Sequence, residues 1–140
     1  MGRINMGRVI VGGLIAGLVI NVSEFVLNTF VIAKDMEAAM KAMNVPAMDN
    51  SQIPWFIVLS FALGIVTVWL YSAIRPRLGP GVSTAACAGL TVWFLAYVYP
   101  TAFFLVLHIF PANALIISVC WGAVEIVVAS VAGALAYTEV

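Results

Sequence analysis

Glu24 and Glu125 each lie inside a long apolar run of this 140-residue chain, and neither run contains a lysine or an arginine. A charge near a bilayer midplane is costly, so such a residue is ordinarily retained to handle a proton, an ion, a substrate or a partner subunit. With no cation at that depth, at least one of the two is expected to carry a proton at neutral pH. It would donate that proton to Asn21, Asn28, Ser118 or a backbone carbonyl. The plainer alternative is that both are neutral acids bridging helices, worth around 1 kcal/mol each. Two accidents at similar depth would then be required. Counted from the outer helix ends at 1.5 Å per residue, Glu24 lies roughly 14 Å deep and Glu125 roughly 20 Å, close enough to meet across a bundle or an oligomer interface.

A second group of candidates sits on the third apolar run. Trp93, Tyr97, Tyr99, Phe103 and Phe104 crowd it, and Trp121 stands on the fourth. Such aromatics usually pack a core, but a flat ligand such as a quinone or pigment could use Trp93, Tyr97 and Trp121. His108 closes the third run as an interfacial polar residue, or as a haem or chlorin ligand or proton relay. A bis-His haem would need a second chain. Met36, Met40 and Met43 share one side of a short helix. That pattern reads as lipid- or protein-packed thioethers, or as a Cu(I) site lacking any nearby Cys or His to complete it. Cys87 and Cys120 lie within helices and read as small apolar residues. There is no metal-ligand pair at helical spacing, no phosphate-binding glycine loop and no nucleophile with a base in reach, so a non-enzyme is expected and no cofactor is assigned. The absence of a basic patch argues against nucleic acid.

The elements that must position these residues follow from composition. The chain is 64% hydrophobic and 9% charged, with mean hydropathy +1.14, too little charge to cover a soluble surface. Four runs exceed the ~20 residues that a membrane-crossing helix needs: Val9–Ala33, Ile53–Ile74, Val82–Ile109 and Ala112–Tyr137. The expected fold is all-α, a four-helix integral membrane bundle forming one transmembrane domain over 1–140. Small and polar residues recur at helical spacing: Gly13, Gly17, Asn21, Glu24 and Asn28 on the first run, and Ser60, Gly64, Thr67 and Tyr71 on the second. The third carries Gly89, Trp93, Tyr97, Phe104 and His108, and the fourth Ser118, Gly122, Glu125, Ala129 and Gly133. These faces should turn inward, since small residues let membrane helices approach closely.

The ends of the runs carry their own signals. Pro54 suits the first turn of the second helix. Arg75-Pro76-Arg77-Leu78-Gly79-Pro80-Gly81 is expected to stop it, Ser83 or Thr84 to cap the third helix, and Phe110-Pro111-Ala112-Asn113 to turn tightly into an antiparallel fourth. Pro100 should free the carbonyl of Ala96 and bend the third helix. Tyr71, Tyr137 and Trp55 suit the headgroup belts. The segment from Lys34 to Gln52 should hold a short amphipathic helix on the outer interface.

Arg3, Arg8, Arg75 and Arg77 against Lys34 and Lys41 place both termini and the Arg75–Pro80 turn in the cytoplasm. Val31-Ile32-Ala33 fits a signal-cleavage rule, but the run before it is too long and too polar to be a signal peptide. Met1-Gly2 is followed by Met6 where a myristoylation signal wants Ser or Thr. Asn21-Val22-Ser23 is a glycosylation sequon buried in a span.

Four spans, an early acidic residue and a Trp-bearing third helix make the whole chain similar to small four-helix bacterial membrane proteins of unassigned function. That resemblance implies a multi-pass protein of the cytoplasmic membrane. In length, helix count and Glu24 the chain also resembles small multidrug-resistance transporters. It departs from them in the long Lys34–Gln52 segment, in the additional Glu125, and in Thr91-Val92-Trp93-Phe94 where they carry a glycine-rich signature. Two functions are expected. The first is a non-catalytic integral subunit packed within a larger membrane complex, bioenergetic ones included, with Glu24 or Glu125 facing another chain's donor or cation. The second is a small oligomeric proton- or cation-coupled transporter using buried carboxylates. The absence of a broken helix or inverted repeat in the sequence favours the first.

Overall fold

The computed structural model describes residues 3–139. Met1-Gly2, where the acylation signal was sought, and Val140 lie outside them. The chain is 84% helix, with no strand among the described residues. Asn5 caps the first helix, α1 (Met6–Val26), by accepting from the Arg8 N–H at 3.1 Å. α1 runs directly into a π-helical turn, Leu27–Val31. A short helix, α2 (Ala33–Ala42), follows. A 3₁₀ turn at Asn50–Gln52, boxed by Asp49 and Gln52, opens α3 (Ile53–Leu78). The third span is α4 (Val82–Trp93), a π-helical segment (Phe94–Val98) and α5 (Tyr99–Leu107) in one line; α6 (Ala112–Leu135) is the fourth. The stretches Met6–Val31, Asn50–Leu78, Val82–Leu107 and Ala112–Leu135 are long and apolar enough to cross a membrane, which marks a multi-pass membrane protein.

α1 packs on both α3 and α6, α4 packs on the same two helices, and α3 and α6 also touch each other. The core between them is made of Val9, Ala16, Ile20, Val68, Ala85, Ala88, Val92, Ile126 and Ala129. α1 and α3 meet backbone to backbone: a methyl group at Gly64 would collide with the Gly13 carbonyl and the Gly17 backbone. This close approach is what small-residue stripes make available where apolar lipid supplies no hydrophobic drive. Outward faces carry Leu18, Phe25, Trp55 and Val106, all well exposed, as a hydrocarbon solvent requires.

The Arg75–Gly81 run stops α3: the helix passes through Pro76 to Leu78 and ends at Gly79, while three other local expectations are corrected. Gly79 sits at φ +84°, with its N–H donating to the Arg75 carbonyl at 2.9 Å. A proline in a long membrane helix is tolerated when the rest of the turn is held, and the φ > 0 position, which glycine adopts without strain, makes the actual stop. Neither Ser83 nor Thr84 caps α4, which starts after Gly81 without a side-chain cap. The turn instead aims α3's last carbonyls at Thr84, whose hydroxyl donates to Gly79 O at 2.7 Å.

Tyr71 and Tyr137 are not belt residues. They are 3% and 4% exposed and pack edge to face, their hydroxyls accepting from the backbone N–H groups of Gly81 and Asn5 respectively. Pro100 does not simply bend the third span. It sits in the first turn of α5, directly after the π-helical segment, so the missing donor is absorbed by a local change of helical register.

Candidate functional site

Glu24 comes from the last turn of α1, Tyr97 from the π-helical segment of the third span, and Glu125 from the middle of α6. Their tips converge. The Tyr97 hydroxyl lies 2.8 Å from Glu24 Oε1 and 2.6 Å from Glu125 Oε1. The carboxylates expected to lie at similar depth are therefore joined through one phenol within a single chain.

The surroundings of the two acids differ. Glu24 is part-exposed, and its Oε2 accepts from Asn28 Nδ2 at 2.7 Å; the same amide nitrogen donates to the Glu24 carbonyl at 2.8 Å. Glu125 is 4% exposed, and its Oε2 is buried without a donor. A phenol has one proton. It can donate to one carboxylate, and to complete the other contact it must accept from a protonated carboxyl. Completing both contacts therefore takes at least one protonated carboxyl.

The backbone makes room for this joint. A methyl group at Gly122, one turn before Glu125, would lie 2.5 Å from Tyr97 Cδ1, so the ring rests directly on the glycine. Two indoles fix the surrounding helices. Trp93 Nε1 donates to the Val119 carbonyl at 2.8 Å, tying α4 to α6, and Trp121 Nε1 donates to Ser23 Oγ at 2.8 Å, tying α6 to α1.

The other expected partners are elsewhere. Asn21 donates to the carbonyls of Gly17 at 2.9 Å and Ile57 at 3.4 Å, across the α1–α3 contact, and does not reach either acid. Ser118 turns back on its own helix and donates to Ala114 O at 2.9 Å. His108 is exposed and left-handed at the end of α5, with a ring nitrogen 3.0 Å from the Val106 carbonyl. It is not gathered with Trp93, Tyr97 and Trp121. Nor do the aromatics of the third span form one cluster: Tyr99 pairs with Phe103 and Phe104 with Phe110, all at or near the outer surface. The π turn after α1 and the π-helical segment in the third span both adjoin the acid site, and neither breaks its helix.

Among the described residues, no three His, Cys, Asp or Glu side chains gather as a metal centre. A groove of about 600 Å³, lined by Ser83, Cys87, Leu90 and Thr91 among others, and a smaller one beside Cys120 do not include the acids. No protein-family model, curated protein or solved structure matches this chain. The site must be read from its own chemistry.

One participant was hidden in the sequence: Ser23 carries no signal except that Trp121 needs an acceptor when buried. Tyr97 was placed on an inward face by its spacing and named as a possible ligand contact, but not as the partner of both acids.

Proposed function

We propose that this chain is a small proton- or cation-coupled membrane transporter, acting as an oligomer, in which Glu24 and Glu125 bind and release a proton. One observation carries the reading: two acids from the first and fourth spans share a tyrosine from the third inside an apolar bundle. Two carboxyl groups so close cannot both ionise cheaply, which makes the pair a proton-binding unit. The accessory-subunit reading draws less support, because its central expectation was an acid turned toward another chain's donor, and here both acids are turned toward Tyr97.

The orientation that goes with this proposal has both termini and the Arg75–Pro80 turn in the cytoplasm, with the protein in a bacterial-type inner membrane. α2 then lies on the outer interface, its apolar face toward the bundle. Two contacts are consistent with that placement: Met36 packs beside the Leu27, Ile32 and Ala114 cluster, and Asp35 accepts from Asn113 Nδ2 at 3.1 Å.

The reading is tested by reconstituting the protein in vesicles on a solid-supported membrane and applying pH jumps. Protonation of an acid inside the low-dielectric layer displaces charge, so a transient current is expected from wild type. It should shrink in Glu24→Gln and vanish in the double variant Glu24→Gln/Glu125→Gln. A double variant that matches wild type would end the proposal.

A further inference from the structure

Within that reading, on which this inference rests, the two acids have unequal roles. Glu24 is met by two donors, the Asn28 amide and the Tyr97 hydroxyl, which is the environment of an ionised carboxylate. Glu125 is met within hydrogen-bond range only at Oε1, by the same hydroxyl; its buried Oε2 has no partner in that range, although the Ser23 hydroxyl and the Glu24 carboxyl also face the Glu125 carboxyl. An ionised Glu125 would leave a nearly bare charge in the core; a neutral one leaves a carbonyl oxygen, at far lower cost. The proton count therefore has one economical solution. Glu125 is the acid and donates through Oε1 to Tyr97 Oη, and Tyr97 donates its own proton to ionised Glu24.

We propose that Tyr97 is a proton relay between a buried storage acid, Glu125, and an exchange acid, Glu24, which in this conformation opens toward the α2 end of the bundle. The step balances. The Glu125 proton passes to the tyrosine oxygen while the tyrosine's original proton passes to Glu24 Oε1. The phenol is re-formed, the charge moves from Glu24 to Glu125, and no other reactant is needed. The 2.6 Å separation is that of a strong O–H···O hydrogen bond and the 2.8 Å separation that of an ordinary one, both short enough to pass a proton.

The polarity of access follows from what lies on either side. Toward the α2 end, polar groups continue from Glu24 to exposed Asn28, and beyond α1 to the Asp35–Asn113 pair. Toward the opposite end the site is closed by Ala16, Ile20, Ala88, Val92, Ile126 and Ala129. Past that layer the hydroxyls of Thr67, Ser72 and Ser130 are each bound to a backbone carbonyl and offer no path. The titratable groups at the site are the three already named, from α1, the third span and α6. α3 contributes none at that level, since Arg75 lies roughly 27 Å along the helix from Ile57, the α3 residue that meets Asn21.

The test is Tyr97→Phe, which keeps the ring on Gly122 and removes only the relayed proton. In the pH-jump measurement the wild-type transient should contain a fast component lost in Glu24→Gln and a slower one lost in Glu125→Gln. Tyr97→Phe should keep the fast component and slow the other by on the order of a hundredfold, the scale of a lost proton-transfer group. Unchanged kinetics in Tyr97→Phe, with both components still sensitive to the Glu→Gln changes, would overturn the relay and leave the transporter reading standing. Insensitivity to both Glu→Gln changes would remove the transporter reading itself. Should Tyr97→Phe not fold, infrared spectra of the unsubstituted protein decide. A carboxylic-acid C=O band present at neutral pH and absent in Glu125→Gln supports the assignment, and a band that survives Glu125→Gln refutes it.

Discussion

Gly122→Ala is the smallest change that should break the acid joint without touching a polar atom. The added methyl would lie 2.5 Å from Tyr97 Cδ1 and 2.7 Å from Cε1, against the 3.4 Å at which ordinary contact begins. The ring must therefore retreat by about 0.9 Å or the α6 backbone must move, and overpacking of this kind costs about 1–3 kcal/mol. A retreat of that size from α6 carries the 2.6 Å contact with Glu125 to about 3.5 Å, beyond useful hydrogen-bond range. Losing that contact inside a membrane adds about 1–2 kcal/mol. Reversible unfolding in mixed detergent micelles should show a loss of about 2–5 kcal/mol, the sum of those two ranges. Ultraviolet resonance Raman of the tyrosines should report a changed hydrogen-bonding state. Gly133→Ala is the control. Its methyl would strike Val68 Cγ2 at 2.5 Å and the Gly12 carbonyl at 2.7 Å, remote from Tyr97, so it should destabilise while leaving the tyrosine spectrum unchanged. Equal spectra for Gly122→Ala and wild type would refute the assigned contact between ring, glycine and acids.

Two further outcomes are expected. Trp121→Phe keeps the aromatic body but removes the 2.8 Å bond to Ser23 Oγ; it should cost around 1 kcal/mol in the same unfolding assay. Its pH-jump transient should remain, since neither Tyr97 contact is altered, and a lost transient would show that Ser23 belongs to the relay. At the other end, Arg75 Nη1 meets Glu139 Oε1 at 2.8 Å, with side chains 21% and 31% exposed, and the guanidinium lies 5.7 Å from the Tyr137 ring centroid. Glu139→Gln should cost under about 1 kcal/mol, because partly exposed pairs are weak. Arg75→Ala should cost more by about 0.5–1 kcal/mol for the lost cation–π contact, and equal costs would contradict that contribution.

The four spans were legible because hydrocarbon imposes a length and a composition that few other constraints imitate. The inward faces of α1 and α6 were legible for a related reason, as glycine and alanine recur there at helical spacing and Gly13, Gly17, Gly122 and Gly133 all receive a close neighbour. What periodicity could not deliver lies where the period changes. The π-helical segment at Phe94–Val98 rotates everything after it relative to a uniform helix, so Tyr97 turns in as counting places it, while Phe104 and His108, counted onto the same face, end exposed. Asn21 and Ser118 failed as partners for the acids for another reason. A helix offers Asn and Ser its own carbonyls one turn back, and both side chains took them.

The placement of regular and irregular helix is itself informative. At the Arg75 end the helices are joined by glycine contacts, the Tyr71–Tyr137 pair and an ion pair, all in regular α-helix or its turns. At the acid end, α1 and the third span each lose regularity within a few residues of the groups that share the proton. A wider helical turn leaves its backbone less tightly constrained, and such turns are found preferentially at functional sites. If the acids were only glue, the cheapest design would place them on straight helices and pair each with a nearby carbonyl. Instead Glu24 and Glu125 reach each other through a residue that the irregular segment itself presents. That expenditure of regular structure is better explained by a proton that must move than by one that merely holds two helices together.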